Sequence, residues 1–146
     1  MKQDVYSLIK KFKNKYPMTV AWRLRAHAKV LNSHINPDEK LIYAFIGQKS
    51  YTYADFVHTY IVAITDKRIL VAHKRILFGY FCSSITPDMF NDLSVQAGIF
   101  WGTVLIDTLS EKVSISFLDK QSLPEVETAI SSYMEEAKQK YKHMNC

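Results

Sequence analysis

Between residues 41 and 118 the chain repeats one simple unit: an apolar, β-branched or aromatic segment of strand length, closed by residues suited to a turn. The segments cover residues 41–47, 58–65, 68–74, 76–83, 93–97, 103–109 and 112–118. Asp66 and Lys67 separate the second from the third. Pro87 and Asp88 follow the fourth, Gly98 and Gly102 bracket the next turn, and Ser110 and Glu111 divide the last two. In the fifth segment Leu93, Val95 and Ala97 alternate with Ser94 and Gln96, the period-two pattern of a half-buried strand, and Met89 is a candidate for its start. Val113, Ile115 and Phe117 alternate in the same way with Ser114 and Ser116. Seven short strands at regular spacing with turn signals between them predict an antiparallel barrel or sandwich.

Both ends of the chain carry helical periodicity instead. Leu123, Val126, Ile130, Met134, Ala137 and Tyr141 fall on one face of a C-terminal helix. Ser122 at the N-cap and Glu125 three residues on read as a capping box. Glu125 and Glu127 near the start, with Lys138, Lys140 and Lys142 near the end, suit the helix dipole. A helix with one apolar stripe, following a row of strands, buries that stripe on the sheet. At the N-terminus Val5, Leu8, Ile9 and Phe12 mark a first helix that Pro17 stops. Thr19 is the expected N-cap of a second, with Ala21, Leu24, Ala28 and Leu31 along its seam. The expected organisation is α+β and mainly β: a basic helical arm over residues 1–34 and a β domain over residues 35–146.

Charge is divided along the same line. Residues 1–34 hold eight Lys and Arg against Asp4 alone, a net +7, and the remainder is net −2, which gives the chain its +5. Electrostatic attraction to an anion therefore belongs to the arm. With 48% apolar residues the chain can bury a core without a disulfide or metal staple. Cys82 and Cys146 stand at no metal-binding spacing, and Cys82 reads as a small buried hydrophobe. The N-terminus alternates charge with apolar residues and lacks the continuous apolar run of a secretory signal, so the cytoplasm is the expected compartment.

Three stretches resemble bacterial pleckstrin-homology (PH) domains. INPDEKLI, from Ile35 to Ile42, is similar to the Pro-acidic turn that leads into their first strand. TDKRIL, from Thr65 to Leu70, is similar to their second hairpin, and NDLSV, from Asn91 to Val95, to the strand after the central connection. The resemblance covers residues 35–141 and implies a seven-stranded antiparallel barrel closed by the C-terminal helix. It also implies an interaction module. Eukaryotic PH domains hold phosphoinositides through a basic cluster in the first hairpin. The corresponding loop here, residues 48–55, carries Lys49 and Asp55, too few donors to converge on several phosphates. A specific inositol-phosphate site is not expected.

Catalytic motifs are missing from the sequence: it has no Gly-rich phosphate loop, no G-x-S-x-G and no H-E-x-x-H. His27, His34, His58, His73 and His143 show no metal-ligand spacing, although His58 and His73 can meet on neighbouring strands. Arg68 is expected to cross the barrel edge or pair with a carboxylate, and Asp107 to face water or a base. No enzyme activity, cofactor or metal is expected. Candidate contact residues are Lys10, Lys11, Lys13, Lys15 and Arg23 on the arm, Phe100 and Trp101 in a Gly-flanked turn, and Tyr51 and Tyr53 in the first loop. The leading expectation is a module that binds protein or a second copy of itself, with the arm docked on the barrel or on another chain. The alternative is anionic lipid, met by the basic helices and the aromatic turn. Nucleic acid is not an expected partner.

Overall fold

The computed structural model describes residues 4–49 and 58–144. Among them seven antiparallel strands form one curled sheet: β1 (Leu41–Lys49), β2 (Thr59–Thr65), β3 (Ile69–Lys74), β4 (Tyr80–Ile85), β5 (Phe90–Ala97), β6 (Trp101–Thr108) and β7 (Lys112–Asp119). Their spatial order is β4-β3-β2-β1-β7-β6-β5, so β4 and β5 are the two free edges of a half-barrel. The β1–β7 pairing joins the two halves through Gln48 opposite Ser116 and Lys49 opposite Ile115. Gly47 permits that junction, because a Cβ there would lie 2.9 Å from the Ser116 carbonyl oxygen. α1 (Val5–Lys15) and α2 (Leu24–His34) precede the strands, and α3 (Leu123–Met144) follows them. None of the described helices is long and apolar enough to cross a membrane.

β2, β3 and the part of β1 from Ala44 to Gln48 are covered on both faces. Ile61, Val62, Ala63 and Ile64 in β2 and Ile69, Leu70, Val71 and Ala72 in β3 are all buried. One face points into the barrel. The other lies under α1, which packs on β1, and under α2, which packs on β3. Continuous apolar runs rather than alternation are the sequence signature of such two-sided burial. Val5, Ile9 and Phe12 from α1 and Ala28 and Leu31 from α2 enter the same core, and Phe12 meets Phe45 at a ring distance of 6.1 Å.

The segment between the two helices differs from expectation. Thr19 does not cap α2; it is buried, and its hydroxyl accepts the amide N–H of Asp119 at 2.9 Å. Val20 donates its amide to the Phe117 carbonyl at 2.9 Å, at a point where β7 bulges with Phe117 at φ +58°. The Thr19 hydroxyl and the Val20 amide thus fasten this segment to β7, and the helix starts only after Arg23, in the left-handed region at φ 55°. That segment is a strap across the outside of the barrel.

The start of α3 also departs from the capping-box reading. Asp119, not Ser122, accepts a turn amide, that of Gln121 at 2.9 Å, and Lys120–Ser122 form a 3-10 turn. Ser122 donates its hydroxyl to the Asp119 carbonyl. Glu125 is free to reach across the structure, where it accepts from Tyr43 Oη at 2.8 Å and pairs with Lys15 at 2.6 Å. The apolar stripe falls as the periodicity demands: Leu123, Val126, Ile130 and Met134 are buried against β5, β6 and the 3-10 turn Pro87–Met89. Tyr133 joins them.

Candidate binding surface

The two motifs flanking β1 and β3 meet in space. Glu39, 2% exposed, accepts four hydrogen bonds: from Asn36 N (3.1 Å), Thr65 Oγ1 (2.7 Å), Arg68 Nε (3.1 Å) and Arg68 Nη2 (2.6 Å). Arg68 also donates to the His34 carbonyl at 2.9 Å and to Ser84 Oγ at 3.3 Å. Beside this pair, Asp66 and Lys40 exchange two hydrogen bonds, and Lys67 pairs with Asp38. The knot ties the end of α2, the start of β1, the β2–β3 turn and β4 together. Arg68 therefore has its carboxylate partner, and its guanidinium is engaged structurally. The Arg68 hydrogen bonds, first of all, hold the Glu39 carboxyl down to about 2 despite burial.

A different region offers surface. The sequence reads residues 76–83 as a strand, yet β4 begins only at Tyr80. Lys74 pairs with Tyr80 and Ile69 with Ile85, so the antiparallel register leaves residues 75–79 as a loop. Gly79 turns it with φ +76°, where a side chain would be strained, and its carbonyl accepts the Arg75 amide. Ile76, Leu77 and Phe78 consequently stand in solvent, 47%, 82% and 85% exposed. Arg23 donates to the carbonyls of Lys74 (2.9 Å) and Arg75 (3.4 Å), so the strap is fastened to the base of this loop. Trp22, half exposed, sits beside it with its amide on Thr59 Oγ1 at 3.1 Å.

The sequence-predicted contact residues are dispersed. Lys10 and Lys11 are exposed on α1. Lys13 donates to the Pro17 carbonyl at 2.9 Å, and Lys15 is paired with Glu125. Trp101 folds against the strap, its Nε1 donating to the Met18 carbonyl at 2.7 Å, while Phe100 and Ile99 remain exposed. Tyr51 and Tyr53 lie outside the described residues. Asp107, half-buried, stands opposite Lys112 in the β6–β7 register. The loop tip of Leu77 and Phe78 was not a sequence candidate. Its signal was there: Gly79 interrupts the run, and no Asp or Glu occurs from residue 67 to residue 87.

The bacterial PH domain family matches residues 35–132, two thirds of the chain. The chain belongs to that family. α1 and α2 precede the matched segment of this PH domain. Its fold is also similar to the crystal structure of a pleckstrin homology domain from Shewanella amazonensis SB2B, at 16% identity and a TM-score of 0.48, covering 73% of this chain and 84% of that one. No curated protein matches the chain.

Where α2 meets β2 and β3, buried imidazoles are tied to the backbone. His27 on α2 accepts the Lys74 amide through Nδ1 at 2.8 Å, which places its proton on Nε2, an atom with no partner. It stacks on His73 (5.2 Å), which stacks on Tyr60 (4.6 Å) and donates through Nδ1 to the Thr59 carbonyl at 2.7 Å. Burial, reinforced by His73 and Arg23, pushes His27 down to about 3. The small cleft beside this stack, lined by Lys49, Tyr60, Phe81 and Ser114 among others, holds about 70 Å³. That is well below the roughly 300 Å³ at which ligand pockets begin.

The buried imidazole predicts acid sensitivity. Its folded pKa lies below the unfolded value of 6.5, so neutral His27 contributes fully above pH 6.5 and the contribution is lost as pH falls towards 3. By pH 5 the loss reaches about 2 kcal/mol. Urea denaturation at pH 7 and pH 5 should show this drop. His27→Gln, which can accept from Lys74 without taking up a proton, should reduce it, leaving the part due to His73, whose pKa burial also lowers. An equal drop in the variant would remove His27 as its cause.

Proposed function

We propose that this PH domain is a non-catalytic docking module that binds a macromolecular surface, with the β3–β4 loop as its working tip. The observation that carries this reading is the exposure of Ile76, Leu77 and Phe78 together, three large apolar side chains in sequence on a loop closed by Gly79. Clustered apolar exposure of this kind marks an interaction site. Three of the strongly perturbed titratable groups have structural partners, Glu39 in Arg68, His27 in the Lys74 amide through Nδ1 and Tyr43 in Glu125, which supports a non-catalytic role for them; the buried Tyr133 hydroxyl has none.

Photo-crosslinking in the native cell tests the reading. Benzoyl-phenylalanine replaces Phe78 in one protein and Thr128, on the exposed side of α3, in another. Adducts with protein or lipid should form from position 78 well above those from position 128. Equal yields, or adducts from 128 alone, would defeat the assignment of the tip.

A further inference from the structure

The charge around the tip narrows what it meets. Residues 5–37, which build α1, the strap and α2, carry seven Lys and Arg and no Asp or Glu. Residues 67–87, which build β3, the loop and β4, carry four more cations and again no carboxylate. Two of those four, Lys67 and Arg68, are paired with Asp38 and Glu39 at the far end of β3, while Lys74 and Arg75 flank the tip itself. α2 packs on β3 and α1 packs on α2, so these two acid-free stretches form one contiguous face. Three carboxylates approach it from outside: Glu125 is neutralised by Lys15, whereas Asp119, held by the amides of Met18 and Gln121, and Glu111, held by Ser83 Oγ, keep their charge and leave the cations of the face in excess. The result is an exposed apolar wedge with a basic collar and an exposed tryptophan, Trp22, at its side.

We infer that the β3–β4 loop inserts Leu77 and Phe78 into the surface of an anionic lipid bilayer, with Arg75, Lys74 and Arg23 at headgroup level and the basic face of α1 and α2 turned towards the membrane. This rests on the docking reading above and names the partner. Each component has its physical role. Large apolar side chains moved from water into the acyl boundary each favour the bound state by roughly tenfold or more. Lys and Arg beside them are drawn to the negative surface potential within a Debye length. Tryptophan favours the interface itself, where one end is apolar and the other wet. Recognition here is of a surface, by a protruding wedge, and requires no headgroup pocket. A second protein would be expected to bring acidic groups to so basic a face; a bilayer containing anionic lipid supplies both the charge and the apolar depth.

Co-sedimentation of the full chain with vesicles of phosphatidylcholine and phosphatidylserine, against phosphatidylcholine alone, is the test. Binding should require phosphatidylserine, weaken strongly between 0.1 and about 0.5 M salt, and fall at least tenfold in Leu77→Glu/Phe78→Glu. Those side chains are exposed, so the variant should keep the wild-type melting temperature. Ile99→Glu/Phe100→Glu, at the other apolar turn, should bind as the wild type does. Phe78→Trp should shift its emission to the blue on phosphatidylserine vesicles and be quenched by brominated lipid, whereas soluble phosphoserine should not compete. Binding that persists in Leu77→Glu/Phe78→Glu, or a Phe78→Trp emission that does not move, overturns the insertion. Should wild type ignore the vesicles while Phe78 crosslinks to protein, or should the double Glu variant lower the native mass, the lipid inference falls and the docking module stands.

Discussion

Glu39→Ala is expected to lower the unfolding free energy by about 3–5 kcal/mol at pH 7, the range for removing one partner of a buried, hydrogen-bonded ion pair. A domain of this size has about 5–15 kcal/mol in total, so the variant should be close to unfolding. The cause is what is left behind. Without the carboxylate, Arg68 keeps only the His34 carbonyl and Ser84 Oγ, the Asn36 amide loses its side-chain acceptor, and the Thr65 hydroxyl is left with the longer contact to the Arg68 carbonyl at 3.2 Å. The same hydrogen bonds set the ionisation of Glu39. A carboxyl held at about 2 in the folded state against 4.5 when unfolded corresponds to about 3 kcal/mol. Its folded value is the lower one, so this contribution is present above pH 4.5 and is lost as pH falls towards 2. Wild type and Glu39→Ala should therefore differ widely in urea at pH 7 and converge below pH 3. Glu39→Gln should fall between them, because it keeps an acceptor and loses the charge. A Glu39→Ala protein within 1 kcal/mol of wild type would show that the knot is not a stabilising unit.

That knot explains how much of the fold was legible in sequence. Asn36 to Glu39 and Thr65 to Arg68 were each readable as turns, because Pro and Asp fix local geometry. Their meeting, across 26 residues between Glu39 and Thr65, was not readable from either alone. Strand periodicity gave β1, β2, β3, β5, β6 and β7 to within a few residues, since alternation and turn chemistry are local. β4 slipped because Ile76, Leu77 and Phe78 have strand-like composition while their position is set by the β3 register and by Gly79. The same conflict hid the proposed binding tip: composition cannot tell an apolar triplet in a core from one on a loop. At the N-terminus the helix seams were legible from period 3.6. The strap between them was not, because Thr19 accepts from the Asp119 amide and Val20 donates to the Phe117 carbonyl, about a hundred residues away in sequence. Likewise Ser122 and Glu125 fit a capping box locally, and Tyr43 and Lys15 claimed Glu125 from a distance.

Ile130→Asp tests the remaining half of the architecture, the closure of the barrel by α3. Ile130 is 0% exposed, between Val126 and Met134 on the same buried stripe, and α3 rests on β5 and β6. The substitution removes a fully buried aliphatic chain, about 2–3 kcal/mol, and adds the desolvation of a carboxylate with no cation placed to receive it. The sum should exceed about 4–5 kcal/mol and abolish cooperative thermal unfolding at neutral pH. Two controls separate packing from helix chemistry. Thr128→Asp puts the same residue on the exposed face of the same helix, two positions away, and should change stability by no more than about 0.5 kcal/mol. Ile130→Val keeps the site apolar and should lose about 1 kcal/mol. Edge strand β5, with Leu93 and Val95 only half-buried, depends on α3 for its cover. Hydrogen exchange in Ile130→Val should therefore rise first in β5 and β6, ahead of β2 and β3, which α1 and α2 cover from the other side. Were Ile130→Asp to melt as wild type does, α3 would not be sealing the half-barrel, and the cover over β5 and β6 would have to come from elsewhere in the chain.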